Sequence, residues 1–124
     1  MIQYEYNSEM GIVEAVYTGD IHVSDLIAYG DKIYADQSLP RKLLVLTDVT
    51  KANYVYSTKE FEELMENLKR HLTAYKFIKV AFIQSKPKET AYSMLVTKMN
   101  PSPNYVRGVF STREAALKWL LSKI

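Results

Sequence analysis

Leu43-Leu44-Val45-Leu46 and Phe77-Ile78-Lys79-Val80-Ala81-Phe82-Ile83 are the two stretches of sequence that decide the fold. Each is a nearly continuous apolar run that is too short for a typical helix. A strand with one face in water alternates apolar and polar residues, whereas a strand covered on both faces of a parallel sheet does not. The two runs therefore predict buried strands of a parallel sheet.

The residues before the first run predict a β-hairpin followed by a helix. Residues 2–6 alternate apolar and polar side chains, and a turn-like segment separates them from a second strand at residues 12–18. Gly19-Asp20 is expected to end this strand. From Val23 onward the apolar residues recur at helical spacing, and Gly30 lies on the same face, which indicates a close packing contact at that position.

The residues after the first run predict three further helices. An apolar stripe from Phe61 to Tyr75 is typical of a long amphipathic helix. Pro87 suits the first turn of another helix that extends through Met99. After a Pro-containing loop, residues 105–110 predict the last strand.

Ser111 and Glu114 have the spacing of a capping box, which predicts the start of the final helix. The resulting order is β-β-α-β-α-β-α-β-α. It predicts an α/β fold in which four helices pack on a mixed, mainly parallel sheet with an N-terminal antiparallel hairpin. Residues 1–124 are expected to form one domain, since their number suits a single core and no linker interrupts the pattern.

Composition and charge exclude several classes of protein. The formal net charge is +2 and the basic residues are dispersed, which argues against a nucleic-acid interface. No apolar stretch approaches the roughly 20 residues of a membrane span, and the N-terminus lacks the features of a secretion signal. The absence of cysteine removes disulfides and thiolate chemistry. We therefore expect a cytoplasmic protein without a membrane span.

Several segments together resemble the SpoIIAA-like family, which includes the anti-sigma-factor antagonists and the STAS/SEC14-like proteins of bacteria. The segments are Gly19-Asp20 with Asp25-Leu26, Leu43–Leu46 with Thr47-Asp48, and residues 110–120. The resemblance covers nearly the whole chain and implies the SpoIIAA-like fold. It also implies a regulatory binding domain that forms a homodimer.

In the signalling members of that family, an Asp-Ser-Ser-Gly motif carries a serine that a partner kinase phosphorylates. The motif falls on Tyr56-Ser57-Thr58-Lys59, where only the two hydroxyl residues are retained. The resemblance makes Thr58 the nearest match to the phosphoacceptor, with Ser57 beside it. The alternative is structural, because Ser57 and Glu60 have the spacing of a capping box.

The segment Asp48–Ser57 is predicted to be a loop at the carboxyl ends of the strands, where open α/β sheets bind their ligands. Tyr54 and Tyr56 are unusual in such a loop and are candidates for binding a partner or ligand. Asp48 and Lys86 are further candidates for polar contacts. The alternative is that both tyrosines cover the end of the core and that Asp48 only holds the loop.

Groups for catalysis are sparse. The chain has two histidines and no cysteine, and it lacks a Gly-x-Ser-x-Gly nucleophile elbow. Neither His22 nor His71 has partners at metal-ligand spacing, so no metal or cofactor is predicted. We therefore expect a non-enzymatic domain that contacts a protein partner through residues 48–58. The alternative is a carrier or sensor of a small apolar or lipid-like ligand, with Tyr, Met and Phe residues lining a pocket.

Overall fold

The computed structural model describes residues 1–86 and 103–122. The helices and strands in these ranges are β1 (Ile2–Asn7), β2 (Ile12–Ile21), α1 (Val23–Tyr34), β3 (Lys42–Tyr54), α2 (Thr58–Leu72), β4 (Phe77–Ile83), β5 (Tyr105–Phe110) and α3 (Arg113–Leu120). The helix predicted from Pro87 to Met99 lies outside the described residues. No helix within them is long and apolar enough to cross a membrane.

The five strands form one sheet in the order β1-β2-β3-β4-β5. β1 and β2 pair antiparallel, with Tyr4 opposite Ala15. The other neighbours pair in parallel, so that Val45 of β3 lies between Val13 of β2 and Val80 of β4. The predicted mixed, mainly parallel sheet with an N-terminal hairpin is confirmed.

Helices cover both faces of the sheet, which explains the continuous apolar runs. Leu43 and Val45 belong to the larger core, which includes residues of α1 and α2. Leu46 belongs to a smaller core on the opposite face, together with Ala116 and Leu120 of α3. Because consecutive strand residues point to opposite faces, nearly every position in the two runs is buried, and Leu44 and Phe77 are partly buried.

α1 and α2 meet at Gly30, although the contact is looser than the close packing predicted from the sequence. Gly30 is buried, and a Cβ atom added there would lie 3.8 Å from the side chain of Asn67 on α2. This distance is an ordinary van der Waals contact, so an alanine would fit at Gly30 while a larger side chain would enter the space between the helices and the sheet.

The prediction that Asp48–Ser57 is a loop is wrong, because β3 continues to Tyr54. β2 supplies the partner for this extension, with Thr18 opposite Lys51 and Ile21 opposite Tyr54. Between Val16 and Thr18 the register shifts and β3 holds one extra residue. Such a bulge changes the phase of the alternation, so the period-two pattern is lost in the sequence.

Two other boundaries also differ from the sequence prediction. β2 does not end at Gly19-Asp20 but extends to Ile21. Gly19 adopts a φ of 73° within the strand, a conformation that glycine tolerates and that lets pairing with β3 continue. The N-cap of α3 is Thr112 and not Ser111, since the Thr112 hydroxyl accepts a hydrogen bond from the Ala115 amide at 3.2 Å.

Candidate functional site

Asp48 holds the bulge of β3. Its Oδ1 accepts hydrogen bonds from the Thr50 amide at 2.9 Å and from the Thr50 hydroxyl at 2.7 Å. The same oxygen therefore satisfies two donors at the point where the strand pairing shifts, and this role agrees with the structural alternative for Asp48.

Tyr54 and Tyr56 turn inward at the end of β3. Tyr54 is only 4% exposed, and its hydroxyl accepts a hydrogen bond from Gln84 Nε2 at 3.2 Å. The Tyr56 ring lies 5.5 Å from the Tyr54 ring and stacks on Phe61 of α2 at 6.0 Å. Both tyrosines therefore cover the end of the core, as the alternative interpretation holds.

Ser57 is the N-cap of α2, and the predicted capping box is confirmed. The Ser57 hydroxyl accepts from the Glu60 amide at 3.2 Å, and the Glu60 carboxylate accepts from the Ser57 amide at 3.0 Å. Thr58 is the first residue of the helix and is exposed. Both hydroxyl residues thus lie at the surface, and only that of Ser57 has a defined structural role.

Lys86 ties the end of β4 to the end of β3. Its Nζ donates to the Ala52 carbonyl and to the Asn53 side chain, each at 2.9 Å. These contacts place the Lys86 side chain beside the last residues of β3. Lys86 is not among the described residues that line the cavity below.

A cavity lies between the sheet and helices α1 and α2, with a volume of about 80 Å³. Because one water molecule takes roughly 10–15 Å³ of such space, a ligand with a single ring fits this volume. Its wall is unusually rich in tyrosine, and the tyrosines that contribute are Tyr17, Tyr29, Tyr34, Tyr54, Tyr56 and Tyr105. The rest of the wall is mainly apolar, with Phe61, Met65 and Phe82 among the larger side chains.

Four phenol groups of the wall are held in the neutral form. Burial raises the pKa of these four, namely Tyr17, Tyr29, Tyr34 and Tyr105, above the ordinary value. A neutral hydroxyl both donates and accepts hydrogen bonds. The cavity therefore combines apolar surface with polar groups that carry no charge at physiological pH.

Arg107 of β5 adds a positive charge to the wall of the cavity. It lines the cavity, and its guanidinium carbon lies 4.1 Å from the centre of the Phe82 ring. The positive charge of Arg107 opposes the rise in pKa at Tyr17, Tyr34 and Tyr105. A cation thus lies within electrostatic reach of three hydroxyl groups of the wall.

A polar cluster joins the two helices at the side of the cavity. Asn67, which lines the cavity, donates to Asp31 Oδ1 at 3.3 Å. His71 Nε2 lies 2.7 Å from the same oxygen, and this contact, together with that of Asn67, lowers the pKa of Asp31. The cluster links α1 to α2 where they flank the cavity.

Only two of the residues proposed from sequence, Tyr54 and Tyr56, are part of this cavity; Asp48, Ser57, Thr58 and Lys86 are not among its described lining. Sequence reasoning missed Arg107 and the four tyrosines of other strands and helices. The available signal was the high content of tyrosine, ten residues in the chain. Within the described ranges no group of His, Asp and Glu side chains is arranged to hold a metal ion.

Two solved structures share this architecture. The first is an uncharacterised protein of the DUF3478 family from Shewanella loihica PV-4 with a SpoIIAA-like fold. It aligns with a TM-score of 0.64 at 16% identity, over 97% of this chain and 92% of its own. The second is the Bacillus cell fate determinant SpoIIAA in its phosphorylated form, with a TM-score of 0.53 at 13% identity, over 96% of this chain and 98% of its own.

No protein-family model matches the sequence, and no curated protein matches it either. The likeness to the two solved structures nevertheless extends over almost the entire chain. The protein therefore has the SpoIIAA-like fold, and the resemblance drawn from the sequence is confirmed at the level of the fold.

Proposed function

We propose that this SpoIIAA-like domain is a non-enzymatic sensor or carrier that binds a small amphipathic molecule in the tyrosine-lined cavity. The observation that carries the proposal is the cavity itself, with six tyrosines and a cation in a wall whose other residues are mainly apolar. Ligand pockets combine these properties, since apolar surface supplies affinity and a few polar groups fix orientation.

Packing energetics support a bound ligand. Protein cores are normally packed to the density of organic crystals. An enclosed apolar cavity costs about 24 cal/mol per Å³, so a space of 80 Å³ corresponds to at most about 2 kcal/mol of lost packing. A ligand that fills the space restores packing contacts and stabilises the fold by RT ln(1 + L/Kd), where L is the free ligand concentration.

The position of the cavity suits a sensor. Tyr56 contributes to the wall, and the adjacent residues Val55, Ser57 and Thr58 are exposed. A ligand that displaces the Tyr56 ring would therefore move a surface segment that a protein partner can contact. In this proposal the domain acts in the cytoplasm as a homodimer and contacts its partner through residues 48–58.

A titration of the ¹⁵N-labelled protein with small ring compounds, including benzamide and benzoate, tests the proposal. We expect saturable chemical-shift changes at the amides of Gly30, Thr47 and Met65, which line the cavity. The Gly30→Leu variant fills the space and is expected to abolish them, whereas the matched Gly30→Ala variant retains them. Absence of saturable binding in the wild type, or equal binding by Gly30→Leu, would refute the proposal.

A second candidate function is a phosphorylation switch at Thr58 or Ser57. The observation in its favour is that both residues are exposed at the start of α2, where phosphate interacts favourably with free amides and the helix dipole. Phosphopeptide mass spectrometry of the protein from its native source tests this function. Phosphate on neither residue under varied growth conditions argues against it.

A further inference from the structure

Arg107 gives the cavity a positive charge. From its placement we infer that the ligand is a small carboxylate with an apolar body, and that Arg107 binds the carboxylate group. This inference rests on the proposed function, because it assigns the chemistry of the ligand that the cavity binds.

The guanidinium is held in place by the sheet. Arg107 belongs to β5, and its partner in β4 is Val80, which also lines the cavity. The guanidinium carbon lies 4.1 Å from the centre of the Phe82 ring, a stacking geometry that restrains the plane of the group. Arginine in a fixed orientation presents a planar pair of donors, which matches the two oxygens of a carboxylate.

The hydrogen-bonding capacity of Arg107 is incompletely used. Its Nε is buried and has no hydrogen-bond partner within the described part of the chain. A buried donor without an acceptor is unfavourable, and such groups are rare in folded proteins. An anionic ligand would supply the missing acceptor.

No carboxylate compensates the charge within the described ranges. The described lining of the cavity contains neither Asp nor Glu. The ion pairs of these ranges are Lys69–Glu66, His71–Asp31 and Arg113–Glu14, none of which includes Arg107. Arg107 is partly buried, and its side chain hydrogen-bonds the phenol of Tyr105, which is a neutral partner. A bound carboxylate would add the opposite charge that no described side chain supplies, which favours an anion over a neutral ligand of the same shape.

The rest of the wall defines the other end of the ligand. The larger apolar side chains Phe61, Met65 and Phe82 suit a ring or a short alkyl chain. The tyrosine hydroxyls are neutral and can donate to the second carboxylate oxygen. The volume of about 80 Å³ restricts the body to roughly one ring.

Pairs of ligands that share a shape but differ in charge, an acid and its amide, show whether binding depends on the negative charge of the ligand. We propose to titrate the full chain with benzoate against benzamide, phenylacetate against phenylacetamide, and hexanoate against hexanamide, and to follow binding by NMR. We expect the acid of at least one pair to bind at least tenfold more tightly than its amide. The Arg107→Met variant is expected to lose this preference, and Arg107→Lys, which retains the charge, is expected to keep part of it.

The outcomes distinguish this inference from the proposed function. Equal affinity for acid and amide in every pair refutes the carboxylate while the cavity remains a ligand site. An acid preference that persists in Arg107→Met, or in Gly30→Leu, places the anion elsewhere and also refutes the inference. If the wild type binds none of the six probes, both the inference and the proposed function fail. The comparison of acid with amide in the wild type does not depend on the folding of any variant.

Discussion

Removal of the Ser57 hydroxyl tests whether this residue caps α2. In the structure the hydroxyl accepts from the Glu60 amide at 3.2 Å, and Ser57→Ala leaves that donor to water. Loss of an N-cap hydrogen bond costs about 1 kcal/mol, within a range of roughly 0.5–2 kcal/mol. Because the site is exposed, we expect Ser57→Ala to lower the free energy of unfolding by about 1 kcal/mol.

This energy converts into a measurable change in melting temperature. Unfolding entropy is about 2.1 cal/mol/K per residue, which gives about 0.26 kcal/mol/K for the 124 residues of this chain. A loss of about 1 kcal/mol therefore lowers Tm by about 4 °C. Urea unfolding followed by circular dichroism measures the free energy, and a thermal scan on the same samples measures Tm.

Two variants serve as controls. Aspartate is as good an N-cap as serine, so Ser57→Asp is expected to stay within about 0.5 kcal/mol of the wild type. Thr58→Ala removes an exposed hydroxyl one residue further on and is also expected to change stability by less than about 0.5 kcal/mol. The reasoning is wrong if Ser57→Ala matches the wild type, or if Thr58→Ala is as destabilising as Ser57→Ala.

Two other predictions concern stability. Lys79 is only 3% exposed, and its Nζ donates to the Trp119 carbonyl and to the Ser122 hydroxyl at the end of α3. We expect Lys79→Met to cost about 1–3 kcal/mol and to speed amide hydrogen exchange in α3; unchanged exchange there would contradict the assigned anchor. The hydrogen bond to His71 lowers the pKa of Asp31, so Asp31 stabilises the fold above its unfolded pKa of about 3.9 and loses this effect as pH falls through the lower folded value. Urea unfolding should therefore find Asp31→Asn less stable than the wild type at pH 6 and less stable by a smaller margin at pH 3, and a difference that is the same at both pH values would be inconsistent with this linkage.

The strands and helices were largely predictable, because their signals are local. The apolar run Leu43–Leu46 predicts a strand covered on both faces, and in the structure α2 lies on one side of this strand and α3 on the other. The capping box at Ser57 was likewise visible in four consecutive residues. The extension of β3 to Tyr54 was not visible in the sequence, because polar residues and a bulge conceal the alternation of apolar and polar side chains. Pairing with β2 makes this segment a strand.

The candidate site was predictable only at one edge. Tyr54 and Tyr56 were candidates because they are aromatic residues in a polar segment that follows an apolar strand, and both line the cavity. Arg107 gave no comparable signal, because an arginine in a short strand near the end of a chain is usually solvated. Its contact with Phe82 depends on the parallel pairing of β4 with β5.

The sequence by itself determined the α/β class, the hairpin at the start and the capped helix that follows β3. These features follow from apolar periodicity and from hydrogen bonds between residues close in the chain. Only the tertiary structure decided that tyrosines from β2, α1, β3 and β5 enclose one cavity with Arg107 in its wall. The physical reason is that strand register and helix packing set which distant side chains share a face, and no local pattern encodes that juxtaposition.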